Sequence, residues 1–307
     1  MKKVNTTKAN TTRKEGLDKF YTTASTVDKC ISSISTIYNW ENFAQIIEPS
    51  AGNGSFLTKI PSEKKIGIDI SPEHENITKQ DFFEYLPKLS ENKEDITNVN
   101  SDKILVIGNP PFGKVSSLAI RFFNHAAEWA TTIAFIIPRT FRRISVQNKL
   151  NKSFHLILDE EIATSPCSFS PPMMVKCCFQ IWEKRDVERE SIKLATKHND
   201  WIFLQFGPND VNGQPTPPSG ADFAIRAYGG KCGEIKKEKQ ELEILRPKSW
   251  HWIKCNEQSN INISKEQLME RFANLDYSNS LNTARQNSMG RGELVSLYSD
   301  YIMNAEL

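Results

Sequence analysis

The chain has 307 residues, 38% hydrophobic and 25% charged, with 39 basic against 37 acidic side chains and a net charge of +2. That length fits one large domain, or a main domain with a smaller companion, and the composition lies outside the disordered class. No apolar run approaches the roughly 20 residues of a membrane span, and the near-neutral balance alone argues against a general nucleic-acid binder.

Residues 1–18 are basic and polar, which predicts a flexible tail without the apolar core of a secretory signal. From Gln45 onward short apolar runs alternate with helical stretches. Residues 45–50 (QIIEPS), 65–70 (KIGIDI), 77–83, 103–109 (KILVIGN) and 132–138 (TIAFIIP) each read as a buried parallel strand. Between the last two, residues 117–130 place Leu118, Phe122, Ala126 and Trp129/Ala130 on one helical face. Residues 154–162 and 175–182 follow without a long helix between them, the pattern of an antiparallel hairpin closing the sheet. The predicted fold class is therefore α/β, a Rossmann-like, doubly wound, mostly parallel seven-stranded sheet with an antiparallel final hairpin. Its ligand edge is the carboxyl ends of the strands at the topological switch point.

Beyond about Lys184 the texture changes, and residues 207–220 hold four prolines and three glycines in one loop. Strand-like pieces at 223–228 and 250–254, a helix over 264–273 and a last helix from Gly292 make this a small mixed region. The division is a tail over 1–18, a catalytic domain over 19–185 and a target-recognition or accessory region over 186–307. The six cysteines show no paired metal-ligand spacing and the five histidines are scattered, so no metal site is expected and the chain reads as a reduced, cytoplasmic protein.

Four short segments carry chemistry. Glu48-Pro49-Ser50-Ala51-Gly52-Asn53-Gly54 follows the first strand, where Gly52 and Gly54 permit a tight turn and close backbone approach to a ligand, with a following helix aimed at the same place. Asp69, followed by Ile70, ends the second strand, where a carboxylate can accept two ribose hydroxyls or simply cap a turn. Asp81-Phe82 ends the third, where an acid can take an adenine amino group and an aromatic can pack on the ring, or the acid can be an ordinary strand-end carboxylate. Asn109-Pro110-Pro111-Phe112 ends the fourth. Pro111 has no N–H, which frees the Pro110 carbonyl. That carbonyl and the Asn109 amide oxygen can accept both hydrogens of one planar amino group, with Phe112 as a stacking surface.

In order and spacing these segments resemble the S-adenosylmethionine-dependent amino-methyltransferases, and most nearly the DNA adenine-N6 methyltransferases. Lys19-Phe20-Tyr21-Thr22 is similar to the aromatic element that precedes the glycine motif in that family, and its N-terminal position matches the γ-type motif order. The resemblance covers residues 19–184. It implies S-adenosylmethionine as cofactor, held by Phe20, Tyr21, Thr22, Glu48, Pro49, Ala51, Gly52, Gly54, Asp69, Ile70, Asp81, Phe82 and Asn109. It implies Asn109, Pro110, Pro111 and Phe112 as the catalytic tetrapeptide. Residues 133–143 (IAFIIPRTFRR) also resemble uncharacterised bacterial and viral relatives.

A base paired in a duplex cannot reach a strand-end pocket, so double-stranded DNA as substrate implies base flipping. Phe169, in the loop before the last strand, is the candidate for the second stacking face. Residues 129–158 contain Arg139, Arg142, Arg143, Lys149 and Lys152 and no acid, a run that suits phosphate contact, with Arg139, Arg142 and Arg143 nearest the pocket. Residues 186–307 carry 15 basic and 17 acidic residues, so the accessory region is no basic clamp. RNA adenine and protein glutamine present the same planar amino nitrogen, so the tetrapeptide leaves both open beside DNA adenine, as it does a non-catalytic binding subunit. A restriction endonuclease is a partner compatible with the DNA reading; a membrane is not, and oligomeric state is not written in the motifs.

Overall fold

A computed structural model describes residues 20–88, 103–256 and 263–305; the expected tail over 1–18 lies outside them. The chain opens with β1 (Tyr21–Thr22), α1 (Ala24–Ile37), β2 (Gln45–Pro49), β3 (Lys65–Asp69), β4 (Ile77–Lys79) and β5 (Ile104–Gly108). It continues through α2 (Ser117–Ala126), β6 (Thr132–Pro138), α3 (Ile144–Gln147), β7 (Phe154–Ile162), β8 (Phe169–Ser170) and β9 (Cys177–Lys184). A second region follows as β10 (Trp201–Phe203), β11 (Phe223–Arg226), β12 (Ile235–Lys236), α4 (Lys239–Ile244), β13 (Trp250–Cys255), α5 (Lys265–Ala273) and α6 (Arg291–Ala305).

The large sheet has seven strands in the order β4-β3-β2-β5-β6-β9-β7. Strands β2 to β6 pair in parallel, whereas β9 runs antiparallel to both β6 and β7. This is the Rossmann-like, doubly wound sheet with an antiparallel final hairpin that the apolar runs predict. The order reverses between β2 and β5, which makes their carboxyl ends the ligand edge.

Both faces of the sheet are covered at its centre, which is why the central strands β5, β6 and β9 are nearly continuously apolar. Ile104, Val106, Ile133, Phe135 and Ile137 point to one face, against Ala119, Phe122, Phe123 and Ala126 of α2. Their neighbours Leu105, Ile107, Ala134 and Ile136 point to the other, against Val27, Cys30 and Ile34 of α1. Among the described residues no helix is long and apolar enough to cross a membrane.

The elements depart from expectation mostly at their ends. The strand expected over 77–83 stops at Lys79, because the Asp81 side chain accepts the Phe83 N–H and caps a short 3-10 turn over Phe82–Glu84. The helix expected over 117–130 ends at Ala126, and the strand expected over 223–228 ends at Arg226. No regular helix follows the glycine loop; residues 52–59 are successive turns. The Leu57 N–H goes to the Glu48 carboxylate at 2.7 Å instead of to a carbonyl four residues back.

The C-terminal region forms an antiparallel four-stranded sheet in the order β10-β13-β11-β12. Trp201, Phe223 and Ile253 pack on one face against Leu268, Phe272, Leu294 and Tyr298 of α5 and α6. Ala224, Trp250 and Trp252 pack on the other face with Leu242 of α4.

At the hairpin end of the large sheet, Arg142 Nε donates to both Asp159 oxygens at 3.0 Å, and Gln180 Nε2 donates to Asp159 Oδ2 at 2.7 Å. Trp182 Nε1 then donates to Gln180 Oε1 at 3.1 Å, so one network crosses β7 and β9. Removing the guanidinium leaves the half-buried Asp159 carboxylate with the Gln180 amide and no cation. Arg142→Ala is expected to cost about 1.5–3 kcal/mol in urea unfolding, the range for hydrogen bonds to charged groups. Exposed Lys149→Ala should stay within roughly 0.5 kcal/mol.

Candidate active site

After Glu48-Pro49 the chain turns through Ser50, Gly52 and Gly54, at φ of 57°, 53° and 79°. A Cβ on Gly52 would meet Tyr21 Cε1 at 2.9 Å, so only glycine lets the N-terminal aromatic element lie on this loop. Tyr21 OH donates to Glu73 Oε2 at 2.6 Å, and the Glu73 N–H donates to the Gly52 carbonyl at 2.9 Å. Burial, then the Glu73 carboxylate, pushes the Tyr21 phenol up to about 12, so it stays the donor at neutral pH. The His74 ring covers Gly54, 3.3 Å from where a Cβ would stand. Glu73 and His74 carry no motif signal; only the path of the chain after β3 brings them here.

The Asp69 carboxylate ends β3, accepting the Gly52 N–H at 2.8 Å through Oδ2 and the Ser71 N–H at 2.7 Å through Oδ1. It is thus a loop cap, with the accepting capacity of an ionised carboxylate for further donors remaining. The Asp69 carbonyl accepts the Gln80 N–H at 3.0 Å, which brings Asp81 to the same edge. Ile70 beside it is 49% exposed and offers an apolar face.

Glu48 is 3% exposed and supports the loop from beneath instead of facing a ligand. Burial pushes its carboxyl up to about 8, held down in part by the backbone N–H groups of Leu57 and Phe56. Phe82 is likewise buried: its ring stacks on Phe122 at 5.1 Å between centroids, with the edges of His125 and Trp129 around it. Its expected place on an adenine ring is therefore corrected to a core position, leaving Asp81 and Ile70 as the exposed groups at that edge.

Asn109 leaves the end of β5 beside this loop. Its Nδ2 donates to the Phe20 carbonyl at 3.3 Å, which leaves Oδ1 as the acceptor. Pro110 is buried and Pro111 exposed, and among the described residues no donor reaches the Pro110 carbonyl. The Phe112 carbonyl accepts the N–H groups of Leu118 and Ala119 at 3.2 and 3.4 Å, which ties the tetrapeptide to the start of α2. The half-buried Phe112 ring packs against the cores on both faces of the sheet.

The group implied by the resemblance carries an amino acid, a ribose and an adenine, and the residues present fit it. Thr22 Oγ1 is buried with no partner among the described residues, a cost of about 1–3 kcal/mol that a ligand donor or acceptor would remove. Asp69, Ile70 and Asp81 line the neighbouring edge with two carboxylates and one apolar side chain. A depression of about 390 Å³ lined by Asn124, Lys149 and Glu188 lies at the opposite, amino edge of the sheet, away from these groups.

The residues expected to meet the target strand are engaged elsewhere. Arg139 donates to Glu161 at 3.0 Å, Arg142 is taken by Asp159 and Glu161, and Arg143 pairs with Glu293 and donates to Ser288 Oγ at 3.0 Å. The run is free of acids in sequence and surrounded by them in space, so its reading as a phosphate surface is corrected. Phe169 is 3% exposed in the core beside α1, with no free ring face for a base.

Glu48 also gives the site a pH dependence. Its pKa rises on folding from 4.5 to about 8, so the neutral form favours the fold. That contribution is complete below about pH 4.5 and is lost as pH rises through about 8. Glu48→Gln is expected to flatten the fall in Tm across this window in thermal melts. Glu48→Ala, which orphans the Leu57 N–H, should cost about 1–3 kcal/mol.

No family model matches the chain. It is 26% identical over 184 residues to the protein ENHANCED DOWNY MILDEW 2 of Arabidopsis thaliana, an alignment covering 53% of this chain and 14% of that protein, so the chain spans about a seventh of that relative. Among solved structures, the 23S rRNA methyltransferase ErmE superposes with a TM-score of 0.38 at 13% identity, covering 55% of this chain and 71% of its own. Magnesium protoporphyrin IX methyltransferase from Synechocystis PCC 6803, solved with bound S-adenosylmethionine, gives a TM-score of 0.39 at 12% identity, covering 53% and 79%.

Proposed function

We propose that this protein transfers a methyl group from S-adenosylmethionine to the N6 amino group of an adenine flipped out of DNA. The observation that carries the proposal is the pair of acceptors on one tetrapeptide, Asn109 Oδ1 and the Pro110 carbonyl, at the end of β5 beside the Gly52–Gly54 loop.

S-adenosylmethionine supplies an activated methyl group on a sulfonium. The difficulty lies with the acceptor, whose nitrogen lone pair is delocalised into the aromatic ring. Asn109 Oδ1 and the Pro110 carbonyl accept the two amino hydrogens, which shifts electron density to nitrogen and favours a tetrahedral, attacking geometry. Both acceptors are held before substrate arrives: Asn109 through the Phe20 carbonyl, Pro110 by its ring and by the α2 cap that follows. Preorganised acceptors of this kind need no reorganisation at the moment of reaction. Phe112 supplies the stacking face. As the N–C bond forms, the sulfonium sulfur leaves with its bonding pair as a neutral thioether. The methylated nitrogen is then acidic enough to release its proton to water, and no side chain need act as a strong base. Asp69 and Asp81 hold the ribose and the adenine amino group of the donor, and Tyr21, fixed by Glu73, covers the glycine loop.

Asn109→Ala should lower kcat by about 10²–10³, as removal of one preorganised hydrogen bond does elsewhere. Donor affinity by calorimetry should fall by no more than about fivefold, the worth of one neutral hydrogen bond. The deciding measurement is transfer of labelled methyl to duplex DNA, tRNA, rRNA and protein with nucleoside analysis. N6-methyladenine in DNA supports the proposal. Transfer to RNA adenine or to a glutamine amide alone, or no transfer, overturns it.

A further inference from the structure

Among the described residues the C-terminal region meets the ligand edge through Glu293 of α6, which pairs with Arg143, and through a strap, residues 284–289. On its near side the Lys176 N–H donates to the Ala284 carbonyl at 2.9 Å, Lys176 Nζ to Asn287 Oδ1 at 2.6 Å, and Arg143 Nη1 to Ser288 Oγ at 3.0 Å. On its far side the Gly229 N–H donates to the Asn287 carbonyl at 2.9 Å, Asn287 Nδ2 to the Gly230 carbonyl at 3.0 Å, and the Met289 N–H to the Ala227 carbonyl at 2.8 Å. The strap therefore fixes the 227–233 turn (AYGGKCG) relative to the start of β9.

The sheet register gives the distance. Gly108 of β5 lies opposite Phe135, and Pro138 lies opposite Cys177. Lys176 is thus two strands across and about three residues along from Asn109, roughly 14 Å away at ~4.8 Å per strand and ~3.3 Å per residue. A duplex rises ~3.4 Å per base pair, so a surface at the strap lies within a few base pairs of a target held at Asn109.

That surface has a distinct composition. Tyr228 is 51% exposed. The Ala227 and Tyr228 N–H groups both donate to the Ser249 carbonyl, at 2.8 and 3.1 Å, which brings the backbone next to Lys248 against the turn. Lys231 lies on the same turn and Arg285 on the strap; with Lys248 they are exposed, and among the described residues none has a carboxylate partner. Arg139, Arg142 and Arg143 of the catalytic rim, by contrast, are each paired with a carboxylate. An aromatic ring among unneutralised cations is the chemistry of nucleic-acid contact, with phosphates on the cations and a sugar or base on the ring.

We infer that Tyr228, Lys231, Lys248 and Arg285 form the docking surface for the duplex flanking the target base. The inference rests on the DNA reading above and assigns the contact to the C-terminal region instead of the catalytic rim. Binding of a short fluorescent duplex, followed by anisotropy across a KCl series, tests it. The Lys231→Ala, Lys248→Ala, Arg285→Ala triple variant should lose roughly tenfold or more in affinity near 0.1 M salt, and its slope of log K against log salt should shrink by about two to three. Tyr228→Ala should weaken binding by roughly tenfold with the slope unchanged, since stacking releases no counterions. Donor affinity by calorimetry should stay at the wild-type level in both, which controls for folding. If the wild type binds and methylates the duplex while both variants keep its affinity and slope, the surface is overturned and the proposed function stands. If the wild type methylates RNA or protein but not DNA, the function falls, and the assigned partner with it.

Discussion

Everything at the ligand edge depends on β2 and β5 lying side by side in parallel, with Gln45 opposite Ile104 and Ile47 opposite Val106. The chain builds outward in one direction from β2 to β4 and in the other from β5 to β6, so these two strands end together with nothing between them. Gly108 allows the ends to close: a Cβ there would lie 3.3 Å from Glu48 Cγ, and its φ of 150° is one that a side chain disfavours. This adjacency places the glycine loop against the tetrapeptide. Two segments separated by more than fifty residues of chain are thereby brought to one edge of the sheet.

A second, smaller ladder closes the site from above. Tyr21 pairs with Ser170 and Thr22 with Phe169, and the Thr23 N–H donates to the Ser168 carbonyl at 2.9 Å. A two-residue ladder contributes little by itself; burial of the Phe169 ring, worth about 1.5–3 kcal/mol, anchors it. The ring thus acts on the site through the backbone opposite it, by holding Thr22 and Tyr21 over Gly52. Its place in the sequence, just before the last strand, looks the same for an anchor as for a base-stacking ring. Only its depth distinguishes them.

The same limit runs through the rest of the chain. Strands buried on both faces declare themselves as continuous apolar runs, so the large sheet and its final hairpin are legible from sequence, as are motifs at strand ends. Side-chain partners are not. The expectation of a phosphate-binding rim fails because the partners of Arg142 and Arg143 lie 17 and 150 residues away. Asp81 and Phe82 are adjacent in sequence, yet one caps a turn at the surface and the other is in the core. The small sheet is legible only in part: β11, β13 and the two helices are read, whereas the three-residue β10 and two-residue β12 are not. Its core draws Trp201, Phe223, Phe272 and Tyr298 from four elements, two of them too short to show a period.

Charge then separates into two kinds with different work. Paired charges hold shape: Arg142 with Asp159 locks the hairpin, and Arg143 with Glu293 ties the ligand edge to the first turn of α6. Lys176 belongs with them, since burial and the neighbouring Arg139 lower its pKa while Asn287 takes its proton donor. These groups are desolvated and hydrogen-bonded, so salt screens them weakly and a polyanion gains little by competing for them. The unpaired cations stand in solvent on the turn and strap, where they cost nothing in desolvation and respond fully to salt. A net charge of +2 is therefore compatible with local attraction for a polyanion, because Arg139, Arg142 and Arg143 are neutralised while Lys231, Lys248 and Arg285 are not. The strap bonds to both sides, so the position of the free cations relative to Asn109 is set by the hydrogen bonds of Lys176 and Arg143 on one side and of residues 227–230 on the other.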